Sequence, residues 1–252
     1  MNPARGRLLA LALACCVLPA LAPAPAQAKR YTVLATGDSM IQIVDGFLKR
    51  RLERPQRVRV LSDARISTGL SKPLLLDWPR LARRQVKRLR PRATVVFMGA
   101  NDGFPMRNPA GQNVGCCGRP WVIEYARRAR KMMRTYLFSG RGRVYWLLLP
   151  QARGGFFRRV FPAVNAALAR AARPLGKKVR LIRLNRVFTP GGRFRQFITW
   201  HGQRVDARQK DGVHLSVQGA SIAASYVIRR MRGDHVLSQP KPRKRRRARR
   251  RT

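Results

Sequence analysis

Acidic residues are scarce in this chain of 252 residues: 10 Asp plus Glu face 55 Lys plus Arg, giving a formal net charge of +45. Histidine is scarcer still, with three copies, and there are only four cysteines. The shortage of cysteine removes a class of function. Two of the cysteines, Cys15 and Cys16, fall near the start, and the other two, Cys116 and Cys117, are neighbours, so neither a zinc site nor a disulfide framework can be assembled from them. No long hydrophobic run is present either: the stretch from Leu8 to Leu21 is short of the roughly 20 residues that a spanning helix needs, and Pro19, Pro23 and Pro25 interrupt its surroundings.

What remains is enough for a folded domain. A hydrophobic content of 45% can fill one core of ordinary size, which a disordered polycation could not do. Arg outnumbers Lys 45 to 10 and the basic residues are spread along the whole chain, so the charge reflects composition bias as much as a dedicated nucleic-acid surface.

The two ends differ from the body. Residues 1–28 carry Arg5 and Arg7, then the apolar run, then Ala26-Gln27-Ala28, the small-x-small pattern of a cleavable signal peptide, so export to the periplasm, cell envelope or medium is expected. Residues 240–252 read PKPRKRRRARRRT, with nine basic residues and no acid, and are expected to form a disordered tail able to contact an anionic envelope polymer or lipid. Without the leader's two and the tail's nine basic residues, 44 cations face the same 10 acids, and the domain from residue 29 to 239 still carries +34.

Within that domain β-type runs alternate with helical ones. Residues 31–36, 57–61, 94–98, 144–149 and 179–184 predict five strands, and residues 40–54, 79–90, 120–138, 157–172 and 217–231 predict helices. Alternation of this kind implies a three-layer α/β/α sandwich around a parallel sheet. Ligands of such sheets bind beyond the carboxyl ends of the strands, which directs attention to Gly37-Asp38-Ser39-Met40, to Ser67-Thr68-Gly69-Leu70, to Gly99-Ala100-Asn101-Asp102-Gly103 and to Asp211-Gly212-Val213-His214.

Ser39 sits at a strand-to-helix turn, where it is either a helix cap or a nucleophile. Asp211 and His214 are spaced so that the carboxylate can reach the imidazole of its own turn, whereas His201 and His235 have no acid three residues before them, so His214 is the best base by elimination. The Asn101 amide can assist backbone N–H groups in binding an oxyanion, and Gly69 can bring such an N–H to the same point or be an ordinary turn glycine. Three of only ten acids, Asp38, Asp102 and Asp211, fall inside these motifs, which argues for specific use.

Taken together, Gly37-Asp38-Ser39, Gly69, Gly99-x-Asn101-Asp102 and Asp211-x-x-His214 resemble the four ordered blocks of the SGNH, or GDSL-like, hydrolases, and in particular the exported bacterial subgroup described as DUF459. The resemblance runs from about Tyr31 to Met231, with Met40 in place of the usual Leu and a glycine block that lacks the Asn often found near it. It implies a flavodoxin-like sandwich with a five-stranded parallel sheet and a Ser39-His214-Asp211 triad. It also implies an oxyanion hole from the Ser39 and Gly69 backbone and the Asn101 side chain, with no cofactor or metal. The activity implied is an exported serine esterase acting on a small ester or an acylated carbohydrate, such as an O-acylated envelope sugar. The alternatives are an acyltransferase with the same triad and a non-catalytic polyanion-binding envelope protein. A nucleic-acid partner is not expected, since it would leave the leader and the triad unexplained, and nothing in the sequence sets the oligomeric state. Phe104, Trp78, Trp121 and Trp200 are either cleft walls or core. Cys116 and Cys117 are expected either to bond to each other or a second chain, or to stay as free thiols.

Overall fold

The computed structural model describes residues 31–56, 58–138 and 141–237; the leader and the basic tail lie outside the described residues. Five strands, β1 (Tyr31–Gly37), β2 (Val58–Ala64), β3 (Ala93–Phe97), β6 (Arg143–Leu147) and β7 (Val179–Ile182), form one sheet in the order β2-β1-β3-β6-β7, every pairing parallel. Two short antiparallel pairs lie outside it: β4 (Met106–Arg107) with β5 (Asn113–Val114), and β8 (Phe197–Trp200) with β9 (Gln203–Asp206). The helices are α1 (Val44–Gln56), α2 (Trp78–Leu89), α3 (Arg119–Leu137), α4 (Gly155–Ala172), α5 (Leu184–Phe188) and α6 (Val217–Gly233). This is the α/β sandwich expected from the alternation, with the sheet order of flavodoxin-like folds.

The central strands are apolar on both faces because helices cover both, and β3 is buried at all five positions. Trp78, Trp121 and Trp146 are fully buried in the core, so two of the aromatic residues weighed as cleft walls are packing residues. Helix boundaries follow local chemistry. Asp77 caps α2 by accepting the Arg80 N–H at 2.9 Å, and Ser216 caps α6 by accepting the Gly219 N–H at 3.0 Å.

The structure shifts one boundary of the sequence pattern and adds two short strand pairs. The helix expected from Met40 begins instead at Val44, because Ser39–Ile41 forms a separate 3-10 turn and Ile43, at φ 69°, breaks the chain direction between them. The stretch between Gly99 and Pro120 contains the β4–β5 pair. The β8–β9 hairpin turns on His201 (φ 51°) and Gly202 (φ 79°), the paired positive φ values of a tight two-residue turn. Cys116 and Cys117 are joined by a disulfide across a cis peptide bond. No helix of the described residues is long and apolar enough to cross a membrane.

Candidate active site

The site forms where β1 and β3 end side by side. Gly37 closes β1 against β3 so tightly that a Cβ there would stand 1.9 Å from the Phe97 carbonyl oxygen, and only glycine fits. The next residue, Asp38, is fully buried and ties the two strand ends together. Its Oδ1 accepts the Met40 N–H at 2.9 Å, and its Oδ2 accepts the N–H groups of Gly99 and Ala100 at 2.8 and 3.1 Å. Burial outweighs these hydrogen bonds and pushes the Asp38 carboxyl up to about 6. The effect is to fix the 3-10 turn, so that Ser39 projects into an open cleft.

Opposite Ser39 stands a loop between β9 and α6. Its ends are stitched by Ser216 N–H to the Ala207 carbonyl (3.1 Å) and Gln209 N–H to the His214 carbonyl (2.9 Å). Asp211 Oδ1 accepts the Val213 and His214 N–H groups at 2.8 and 3.0 Å, which leaves Oδ2 to meet His214 Nδ1 at 2.5 Å. His214 Nε2 then lies 2.8 Å from Ser39 Oγ. Partial desolvation of Asp211 raises its pKa, but the hydrogen bonds from His214 and from the two backbone N–H groups outweigh it, and the carboxyl is held below its ordinary range. An ionised carboxylate can only accept, so the His214 ring hydrogen resides on Nδ1 and Nε2 is free to receive the Ser39 proton.

Asn101 follows β3 and lines the same cleft; its Nδ2 makes only a long 3.5 Å contact with Asp38 Oδ2. Gly69 is not among the residues that line the cleft. It is buried, and a Cβ there would stand 2.6 Å from Asp102 Oδ1. Asp102 makes this apposition: its buried carboxylate accepts Ser71 N–H (2.7 Å), Ser71 O–H (2.8 Å) and Tyr125 O–H (2.7 Å), drawing the loop after β2 onto the loop after β3. Burial raises the Asp102 pKa against those bonds. Among the described residues, the Ser39 and Gly69 N–H groups donate to no protein acceptor.

The cleft has a volume of about 620 Å³ and is lined by Ser39, Asn101 and His214 with Met40, Gln42, Ile43, Ile66, Ser67, Gln209 and Leu215. It thus offers a hydroxyl, a base and amide donors against an apolar wall. Among the described residues no group of three or more His, Cys, Asp or Glu side chains could hold a metal.

Sequence reasoning missed the supports. Ser71 and Tyr125 carry no motif. Arg208, 1% exposed, lies under the His214 loop and donates from Nη2 to the Gly212 and Val213 carbonyls at 3.1 and 2.9 Å. One arginine among 45 gives no signal of this, although its position three residues before Asp211 is where such a support would fall.

The family described as "Protein of unknown function (DUF459)" matches residues 32–230. The chain belongs to the DUF459 family. No curated protein matches it in sequence. Among solved structures, this DUF459 chain is similar to the C-terminal catalytic domain of peptidoglycan O-acetyltransferase A from Streptococcus pneumoniae, solved with a methylsulfonyl adduct. The TM-score is 0.52 at 12% identity, over 82% of this chain and 96% of that one. It is also similar to a possible lipase from Chitinophaga pinensis, with a TM-score of 0.51 at 13% identity over 81% of this chain and 99% of that one. At such identities the likeness is one of fold, and it agrees with the SGNH-type sandwich that the ordered motifs imply.

Proposed function

We propose that this DUF459 protein is a serine acyl-transfer enzyme that cleaves carboxylic esters through an acyl-enzyme on Ser39. The observation that carries this reading is the unbroken chain from Asp211 through His214 to Ser39, at 2.5 and 2.8 Å, opening into a cleft. In this reading Ser39 Oγ attacks the ester carbonyl as its proton passes to His214 Nε2, and the Asp211 carboxylate stabilises the imidazolium. The carbonyl oxygen, now negative, is held by the Ser39 N–H group and the Asn101 amide. Collapse expels the alcohol, which takes the proton back from His214. A second hydroxyl, of water or of an acceptor sugar, is then deprotonated by His214 and releases the acyl group from Ser39.

An acylated carbohydrate of the cell envelope is the substrate class we favour, with export by the leader and retention on anionic polymer by the tail as parts of the same reading. The structural likeness to an O-acetyltransferase domain of peptidoglycan supports that class and leaves water and sugar both open as acceptors. Ser39→Ala in the exported protein tests the core of it. Hydrolysis of a short activated ester should fall at least about a thousandfold with the fold unchanged, because removing the nucleophile leaves only the oxyanion donors and binding. Activity within about tenfold of the parent would remove Ser39 from the chemistry. Product analysis with and without a sugar acceptor then separates hydrolase from transferase.

A further inference from the structure

The exposed large apolar side chains are not scattered. Of the eight among the described residues, Ile66, Leu74 and Leu75 follow β2, Phe104 follows β3, Phe156 follows β6, and Val217 opens α6 three residues after His214. All six therefore lie at the carboxyl edge of the sheet, the edge at which the cleft opens. The loops at the amino edge, Arg90–Arg92 and Arg173–Lys178, carry cations and none of these side chains.

Three of the six are linked through Lys72, the residue that precedes Pro73-Leu74-Leu75. Ile66 lines the cleft, and its neighbour Ser67 accepts the Lys72 ammonium at 3.3 Å. That ammonium sits 4.6 Å from the Phe104 ring centre, and Phe156 covers Gly103, where a Cβ would stand 2.9 Å from its ring. Pro73-Leu74-Leu75 forms the tip: Leu74 is 101% and Leu75 65% exposed, so folding gains nothing from leaving two leucines there. Large apolar side chains left exposed together at one edge of the fold mark a contact surface.

Charge selects what it contacts. Directly after the tip, Arg80, Arg83 and Arg84 are exposed, while Asp77, the one acid of the 65–77 loop, turns its carboxylate onto the Arg80 N–H. A second copy of a body carrying +34 would be repelled. Apolar side chains bordered by cations match an anionic lipid surface, whose headgroups attract the cations and whose acyl boundary accepts the leucines. We propose that the carboxyl edge docks on an anionic membrane surface, with the Pro73-Leu74-Leu75 tip inserted and the Ser39 cleft facing the lipid. This contact is separate from the basic tail and does not depend on the chemistry assigned to Ser39.

Sedimentation of the full chain with vesicles of equal parts phosphatidylglycerol and phosphatidylcholine tests it, comparing the parent with Leu74→Ser/Leu75→Ser. At about 1 M salt the screening length is about 3 Å, so binding by the tail and surface arginines is suppressed and apolar insertion persists. The parent should stay bound, and the double variant should bind at least about tenfold more weakly, since burying one leucine is worth about that factor. The melting temperature should not move, because these side chains are exposed. Equal binding of the two proteins, absence of parent binding at high salt, or a parent that self-associates through the tip without vesicles would each overturn the proposal.

Discussion

Two regions meet at the cleft and use the same side chain in opposite ways. In the strand-end turns after β1 and β3, Asp38 and Asp102 are fully buried, surrounded by backbone and hydroxyl donors, and their pKa values are raised. In the loop before α6, Asp211 is 43% exposed at its side chain, bonded to an imidazole, and its pKa is lowered. The first pair organises backbone, holding three N–H groups in one case and two loops together in the other. The third aspartate faces outward and can answer a proton transfer. Burial and partners, more than residue type, decide which role a carboxylate takes.

The largest effect should come from the outward region. His214→Ala and Asp211→Asn should each lower ester turnover by about a thousandfold or more, because the proton loses its acceptor or the ring its tautomer, whereas His201→Ala should leave turnover unchanged. Steady-state kinetics on a short activated ester reads all three, and a loss with His201→Ala equal to that with His214→Ala would erase the distinction between the loops.

The buried region should show itself in stability against pH. The Asp38 carboxyl ionises near 3.8 in the unfolded chain but only near about 6 when folded, so in between the native state holds a proton that the unfolded state has released. Stability from this group is full below the unfolded value and is lost as pH rises through about 6, by on the order of 3 kcal/mol. Asp102 acts in the same direction. Asp211 acts in the opposite one: its contribution is present above its unfolded value and lost as the pH falls below it. Denaturant melts across pH 4 to 7 should therefore slope downward for the parent and more shallowly for Asp38→Asn. Equal slopes would contradict the assigned burial effect.

A smaller effect should follow from loosening the loop without touching its reacting groups. Arg208→Met removes the donors to the Gly212 and Val213 carbonyls, and turnover should fall about tenfold through kcat with KM little changed, as expected when a base is misplaced rather than removed. Arg208→Lys, which restores a donor, should recover part of the loss.

The parallel sheet and the motif blocks were legible because both rest on local signals: alternating periodicity for the strands, and glycine, acid and histidine placed directly after strands or before a helix. The structure brings Ser39, His214 and Asn101 to one cleft, bonds Asp211 to His214, and buries Gly69 against Asp102. Long-range partners were not legible. Nothing near Ser71 or Tyr125 announces that both will close on Asp102, since the contacts span 31 and 23 residues. The β8–β9 hairpin turns on His201, a residue whose positive φ local propensity does not anticipate. The start of α1 was misplaced because a positive φ at Ile43, a β-branched residue, is not something local propensity anticipates.

The account turns on Ser39 being a nucleophile that His214 activates, and covalent labelling reads that directly. Treated with methylsulfonyl fluoride, the parent should gain one methylsulfonyl group per chain, located by peptide mass spectrometry on Ser39. His214→Ala should gain it at least about a hundredfold more slowly, since the serine then lacks its general base. A label found elsewhere, or an unchanged rate of labelling in His214→Ala, would contradict the account.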